Sequence, residues 1–244
     1  MKIFNGDCLE EMKNISDDSI DLIFCDLPYA NDKYSAVNCK WNTPIDLDNF
    51  WKEIMRIKKL NTPIFFTTNT KFGVDLITSA PKKCPFRYDL VWIKSSSAGF
   101  LWSRKMPMRK HEMVYVFYER LPYYDLSSHK NKFIDKDVPV KAKDGAYGKL
   151  NIKQPETSGA RWEPPLPHSL LEIKSSRGKH STEKPVALIE WILKYYSKDG
   201  DIILDPTMGS GSTGVACKNM NRDFIGIEKD EEIFKFAENR LLDE

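Results

Sequence analysis

Short apolar runs rich in branched and aromatic residues alternate along the chain with stretches whose apolar residues return every three or four positions. IDLIFCD (20–26), PIFFTTN (63–69), YDLVWIK (88–94) and EMVYVFY (112–118) predict buried strands. DIILDP (201–206) and DFIGIE (223–228) predict two more, each opening on Asp and reaching an acidic residue after an apolar middle. Between them, 46–59 carries Phe50, Ile54 and Ile57 at helical spacing, with Asp46 or Asp48 as N-cap. Helices are likewise predicted over 184–197, with Val186, Ile189, Ile192 and Leu193, and over 230–242, with Ile233, Phe236, Ala237 and Leu241. Strand–helix alternation of this kind predicts an α/β fold: a Rossmann-like, doubly wound, mostly parallel sheet. The pattern breaks between about 120 and 178, where Pro122, Pro139, Pro155, Pro164, Pro165 and Pro167 accumulate without long periodicity. That stretch reads as an insertion on the rim of the sheet.

Composition narrows the class. Hydrophobic residues make up 41% and charged residues 30% of 244 residues, so a buried core is expected. No apolar run approaches the ~20 residues that span a bilayer, and the opening MKIFNGDCLEEMKN turns acidic too early for a secretion signal. A cytoplasmic protein with no membrane partner is the expectation. The five cysteines form no CxxC pair and the four histidines no HExxH, so no metal is expected. Net charge is only +2, but it is unevenly placed. Residues 94–110 hold Lys94, Arg104, Lys105, Arg109 and Lys110 with no acidic residue, and 129–184 hold twelve Lys/Arg against seven Asp/Glu. A near-neutral body with two basic stretches suits local contact with a polyanion, or simply a solvated surface.

Two clusters carry chemistry. The segment ILDPTMGSGSTGVACKNMNRDFIGIE joins a strand, a glycine-containing turn, a helix and a second strand ending in Glu228. In a doubly wound sheet a nucleoside-bearing ligand sits at such a place. Gly209 and Gly211 let the backbone turn tightly, and Glu228 is placed to accept from ribose hydroxyls. The spacing is neither GxGxxG nor a P-loop, which disfavours nucleotide phosphates. Taken alone, an ordinary strand–helix turn fits as well. The second cluster is Asp26-Leu27-Pro28-Tyr29 at the end of an apolar strand, combining an acceptor, a stiff turn and a flat ring. It suits a planar base with an exocyclic amine, or a plain strand-end turn.

Together the clusters resemble the β-class, permuted family of amino-methylating DNA methyltransferases, which act on adenine N6 or cytosine N4. DLPY resembles their catalytic motif, DPTMGSGSTG their cofactor loop and IGIE their ribose-binding strand end. HSTEKPVALIEWIL (180–193) is similar to the helix-start motif commonly seen as HPTxKP, and GDCLEEM (6–12) to the opening segment. RKHEMVYVFYE (109–119) fits the same layout. The catalytic motif precedes the cofactor loop, as in the permuted class. Three departures are Leu27 in place of the commoner Pro, Thr207 where many relatives carry Phe, and Ser181 rather than Pro after His180.

The resemblance implies S-adenosylmethionine as cofactor and double-stranded DNA as partner. Asp26 and the Leu27 carbonyl would accept the amine's two N–H groups, Pro28 would stiffen the turn, and Tyr29 would stack on a flipped base. Asp7 and the Cys8 backbone would flank the cofactor adenine, Glu228 its ribose, and Asp205, Gly209, Gly211, Thr182 and Lys184 its methionine end. Thr207 belongs to the same loop. Lys94, Arg104, Lys105, Arg109 and Lys110 would contact DNA. Residues 1–119 and 179–244 would form the catalytic and cofactor-binding halves, with 120–178 the target-recognition insertion. A second copy of the chain and a cognate restriction nuclease are further partners open to such an enzyme.

Adenine leads over cytosine because relatives acting on cytosine tend to have Ser in place of Asp26. C5-cytosine chemistry lacks its Pro-Cys nucleophile: the cysteines follow Asp7, Phe24, Asn38, Lys83 and Ala216. The other alternative is a non-catalytic DNA-binding module with a methyltransferase fold, against which stands the complete set of acceptors and glycines.

Overall fold

The computed structural model describes residues 1–29, 44–133, 160–175 and 183–242. The chain forms two compact units, one of Met1–Tyr124 with Ser169–Glu244 and one of Asp125–His168.

The larger unit is built on an eight-stranded sheet. Its strands are β1 (Lys2–Asn5), β2 (Leu22–Cys25), β3 (Ile64–Thr68), β4 (Phe86–Ala98), β5 (Arg109–Phe117), β8 (Leu170–Glu172), β9 (Ile202–Asp205) and β10 (Asp223–Glu228), in the spatial order β1-β10-β9-β2-β3-β5-β4-β8. β1, β10, β9, β2 and β3 pair in parallel, β5 runs against both β3 and β4, and β8 pairs in parallel with β4. Every strand of this sheet except β5 therefore points the same way. β2 and β3 are buried along their whole length, as strands covered on both faces must be.

Side-chain alternation on β3 shows the two layers directly. Phe66 packs on Trp51 of α2 (Leu47–Ile57), ring centroids 5.5 Å apart, while its neighbour Phe65 packs on Tyr196 of α4 (Val186–Tyr196) at 5.0 Å. Phe117 of β5 closes the first cluster, 5.4 Å from Trp51 and 5.5 Å from Phe66. Truncating one of these buried rings to alanine typically costs about 3–5 kcal/mol. Asp46 starts α2 by accepting from the amides of Asp48 and Asn49, which decides between the two caps expected.

Short α1 (Cys8–Glu11), α3 (Thr70–Ser79), α5 (Ser212–Asn219) and α6 (Glu231–Leu242) complete the helices of this unit. The chain runs β2–α2–β3 to one side and β9–α5–β10–α6 to the other. The winding direction thus reverses between β9 and β2, where the helices diverge beyond the strands' carboxyl ends and leave a crevice.

In the smaller unit, β6 (Lys130–Phe133) and β7 (Ala160–Glu163) form an antiparallel pair, and a His129 ring nitrogen lies 2.8 Å from the Pro164 carbonyl. The stretch 120–178 expected as insertion is wider than this unit. β8 returns to the main sheet because the Val91 amide donates to the Ser169 carbonyl and β4 pairs with Leu170–Glu172.

Candidate active site

Asp26 follows β2 directly, and its carboxylate is the hub of the crevice. Its Oδ1 accepts from Thr67 Oγ1 of β3 at 2.5 Å and from the Tyr29 hydroxyl at 3.0 Å. Its Oδ2 lies 2.5 Å from Lys184 Nζ. A carboxylate offers about four acceptor positions, so one remains for an incoming N–H. Leu27 is buried and anchors the turn, and the Tyr29 ring leans on Phe72 with centroids 5.6 Å apart.

Glu112 on β5 extends the hub. Its Oε1 is 3.0 Å from the Tyr29 hydroxyl and 3.5 Å from Lys184 Nζ, and its Oε2 is 2.7 Å from Lys94 Nζ. The tyrosine has one proton for two carboxylates, so both cannot be served at once. Burial, then the charges of Asp26 and Glu112, push its phenol well above the ordinary range and keep it a neutral donor. Burial alone would discharge Lys184, but Asp26 and Glu112 outweigh it and raise its pKa. Burial likewise works against the Glu112 carboxylate, yet Lys184 and Lys94 bring its pKa below the usual value. Two ammonium groups and two carboxylates thus balance in a partly buried quartet, the condition for keeping charge out of water.

The neighbouring strand ends carry the second half. Asp205, at the end of β9, accepts from the Thr207 amide at 3.1 Å and from Thr213 Oγ1 at 2.5 Å. Burial raises its pKa to about 7, against the pull of those two hydrogen bonds, with the charges of Asp26 and Glu228 adding to the rise. Glu228, ending β10, accepts from the amides of Gly209 at 3.0 Å and Asp230 at 2.8 Å, one on each oxygen. Each oxygen keeps an acceptor position for a hydroxyl. Gly209 has φ +52° with open space where a Cβ would stand, and Gly211 has φ +81° at the cap of α5. Thr207 Oγ1 is buried without a hydrogen-bond partner, a polar atom that a ligand of the loop would satisfy. Asp7 caps α1 through the Leu9 amide at 3.0 Å and meets Lys229 at 3.0 Å, while the Gly6 amide donates to the Glu228 carbonyl. Cys8 is buried, and burial pushes its thiol up to about 12, which leaves it inert.

Adjacent residues ahead of α4 tie the halves together. Glu183 accepts from Ser212 Oγ at 3.1 Å and pairs with Arg240 at 2.9 Å, on the glycine-loop side. Lys184 reaches the opposite way, to Asp26.

The sequence pattern of the N6/N4 methyltransferase family, described as DNA methylase, matches residues 20–239. The chain belongs to this family. Among known DNA methylases it is 28% identical over 261 residues to the type II methyltransferase M.HinfI of Haemophilus influenzae, covering 98% of this chain and 67% of that protein. It is 29% identical over 252 residues to the DNA adenine methyltransferase YhdJ of Escherichia coli K12, covering 98% and 82%. In fold it resembles the solved M1.HpyAVI–SAM complex, with a TM-score of 0.63 and 22% identity over 98% of this chain and 99% of that one. It also resembles the cytosine-N4-specific PvuII methyltransferase, with a TM-score of 0.66 and 17% identity over 98% and 85%.

Within the DNA methylase, Asp26, Leu27, Pro28 and Tyr29 stand at one strand end, and Asp7, Cys8, Asp205, Thr207, Gly209, Gly211 and Glu228 at or just beyond the ends of β1, β9 and β10. Thr182, His180 and Ser181 lie outside the described residues. Lys184, expected at the cofactor's methionine end, holds Asp26, and Lys94, expected on DNA, pairs with Glu112 and lies 5.0 Å over the Trp92 ring. Arg104, Lys105, Arg109 and Lys110 are exposed. Sequence reasoning missed Glu112, Thr67 and Glu183. The signal available for Glu112 was a carboxylate opening an otherwise apolar strand. Among the described residues, no cluster of three or more potential metal ligands occurs, and no helix is long and apolar enough to cross a membrane.

Proposed function

We propose that this DNA methylase transfers a methyl group from S-adenosylmethionine to the N6 of adenine in double-stranded DNA. The observation that carries the reading is the Asp26 carboxylate, with an acceptor position open, at the strand end next to the Asp205–Gly211 loop, across the point where the winding reverses. The cofactor supplies a methyl activated by its sulfonium. Glu228 would accept from its ribose hydroxyls, Thr207 Oγ1 and the open face at Gly209 would meet its remaining polar groups, and Asp7 would flank its adenine.

The chain's own work is orientation and electrostatics. An adenine amine is a poor nucleophile because its lone pair is delocalised into the ring. Asp26 and the Leu27 carbonyl accept its two N–H groups and draw the nitrogen towards a tetrahedral geometry, while Tyr29 offers its ring to the base. The nitrogen lone pair would take the methyl, the sulfur leaving with the bonding electrons, and the amino proton held by Asp26 would pass to that carboxylate or through it to water. Lys184 fixes Asp26 and balances its charge. An aspartate here and the adenine specificity in the name of YhdJ support adenine over cytosine. Residues 125–168, the unit outside the main sheet, are the proposed target-recognition element.

Incubation with methyl-labelled cofactor and random-sequence duplex, followed by nucleoside analysis, tests the reading. Label in N6-methyl-2′-deoxyadenosine is expected for the unmodified protein and none for Asp26→Ala. Label in N4-methylcytosine, or none from either protein, would overturn it.

A further inference from the structure

Between β4 and β5 lies a turn that the proposed chemistry does not use. It places Phe100, Leu101 and Trp102 at 77%, 94% and 54% exposure, followed by Met106 at 57% and Met108 at 44%. Single exposed apolar residues are ordinary on a surface, but five within nine positions form a patch that calls for an occupant.

Three observations say what that occupant is. The turn is built rather than slack: Gly99, at φ +92°, leads into a 3₁₀ turn over Phe100–Trp102. Its carbonyl accepts from the Trp102 amide at 3.0 Å, and the Trp102 carbonyl accepts from Lys105 at 2.8 Å and Met106 at 3.0 Å. The backbone satisfies itself while the side chains are displayed. Strand direction then aims the display. β4 runs parallel to β2, β3, β9 and β10, so the turn after β4 leaves the sheet on the edge that carries Asp26, Asp205 and Glu228. Finally, the patch is ringed by cations. Lys105 lies 5.1 Å over the Trp102 ring, and Arg104, Arg109 and Lys110 are exposed and make no ion pair with a described residue. Apolar wedges flanked by Lys and Arg are how proteins enter a base stack.

We propose that this turn is a duplex wedge: Phe100, Leu101 and Trp102 enter the stack beside the target adenine and fill the space it leaves, while the neighbouring cations hold the phosphates. The proposal rests on the adenine-methylation reading, since a base must leave the helix for the wedge to have a vacancy. Extrusion breaks stacking and pairing, a cost smallest when the base is already mispaired. Apolar surface inserted into the gap offsets it for a paired base.

The test compares the unmodified protein with Leu101→Ala/Trp102→Ala on two duplexes carrying a site mapped from methylated random DNA. In one the target adenine is paired; in the other it faces an abasic position. The variant is expected to lose about tenfold or more in kcat/KM on the paired duplex, to stay within about twofold on the abasic one, and to keep its cofactor affinity by calorimetry. Equal loss on both duplexes would make the turn a general binding element and overturn the wedge. So would no loss on either, or a shift in oligomeric state without a difference between the duplexes. Failure of the unmodified protein to methylate either duplex would overturn the adenine reading itself, and the wedge with it.

Discussion

Lys184 Nζ lies 2.5 Å from Asp26 Oδ2, although 158 positions separate the two residues in the chain. The contact joins the segment that precedes α4 to the motif that follows β2, and so links the two ends of the permuted order in one ion pair. Glu112 is the second carboxylate on the same ammonium, at 3.5 Å. Lys184 therefore serves the acceptor that would hold the amine, and its neighbour Glu183 serves the glycine loop.

Lys184→Met tests that division. Removing the ammonium leaves two facing carboxylates around the Tyr29 hydroxyl, so Asp26 loses both its position and its counter-charge. The expected result is a fall in kcat on the order of 10²-fold, with S-adenosylmethionine affinity within about twofold by calorimetry. A large loss of cofactor affinity with kcat preserved would return Lys184 to the cofactor's methionine end.

Asp205 gives a pH signature. Its carboxyl is held at about 7 in the folded chain, chiefly by burial, against the unperturbed 3.8. A raised carboxyl stabilises the fold fully below the unfolded pKa, and that contribution is lost as pH rises through the folded one. Over three pH units the difference is on the order of 3–4 kcal/mol. Relative to Asp205→Asn, the wild type should therefore lose stability steadily from about pH 4 to pH 8. Urea unfolding of both proteins across that range checks it, and parallel stability curves would show that Asp205 does not titrate there.

What was readable in advance follows from where the forces lie. β2 and β3 announce themselves because a strand buried on both faces must be apolar throughout, β9 and β10 by their apolar middles, and α2 because Phe50, Ile54 and Ile57 share a face below the Asp46 cap. α3 was not legible: Gly73, Val74, Ile77 and Thr78 are poor helix formers. Gly73 stands there because the Tyr115 ring would lie only 2.4 Å from a Cβ, a constraint set by a strand forty residues on. β8 is three residues of edge strand whose reason lies in the Ser169–Val91 hydrogen bond. In the site, the acceptors and glycines could be named because each works at its own position in a short motif. Glu112 and the ion pairs of Lys94 and Lys184 could not, because an ion pair leaves no local pattern. Lys94 looked like one more surface cation until β5 brought Glu112 beside it.

Glu228 carries the prediction for cofactor affinity. It already binds two amides, of Gly209 and Asp230, so its loss loosens the loop as well as removing acceptors for the ribose. Glu228→Ala should weaken S-adenosylmethionine binding by roughly 1–3 kcal/mol, while DNA affinity in the absence of cofactor stays the same. A cofactor affinity unchanged in calorimetry would place Glu228 outside the site.

The basic residues divide by whether they have a partner, and salt dependence reads the division. Each phosphate contact that displaces a counterion contributes about −0.9 to the slope of log K against log salt. Lys105 and Arg109 are exposed on the β4–β5 turn and its return strand, with no ion pair to a described residue. Replacing both with alanine should flatten the slope by up to ~2, equally on duplexes with and without the target site, since phosphate contacts position and do not specify. Lys94 is the counter-case. Its ammonium is already held by Glu112 at 2.7 Å, so Lys94→Ala should leave the slope unchanged and instead lower the rate, by freeing a carboxylate beside Tyr29 and Lys184. DNA affinity measured at several salt concentrations, with kcat measured alongside, separates the two. A flattened slope for Lys94→Ala would show that it trades Glu112 for a phosphate on binding, and parallel lines for the Lys105/Arg109 pair would show that neither of these two cations contacts a phosphate.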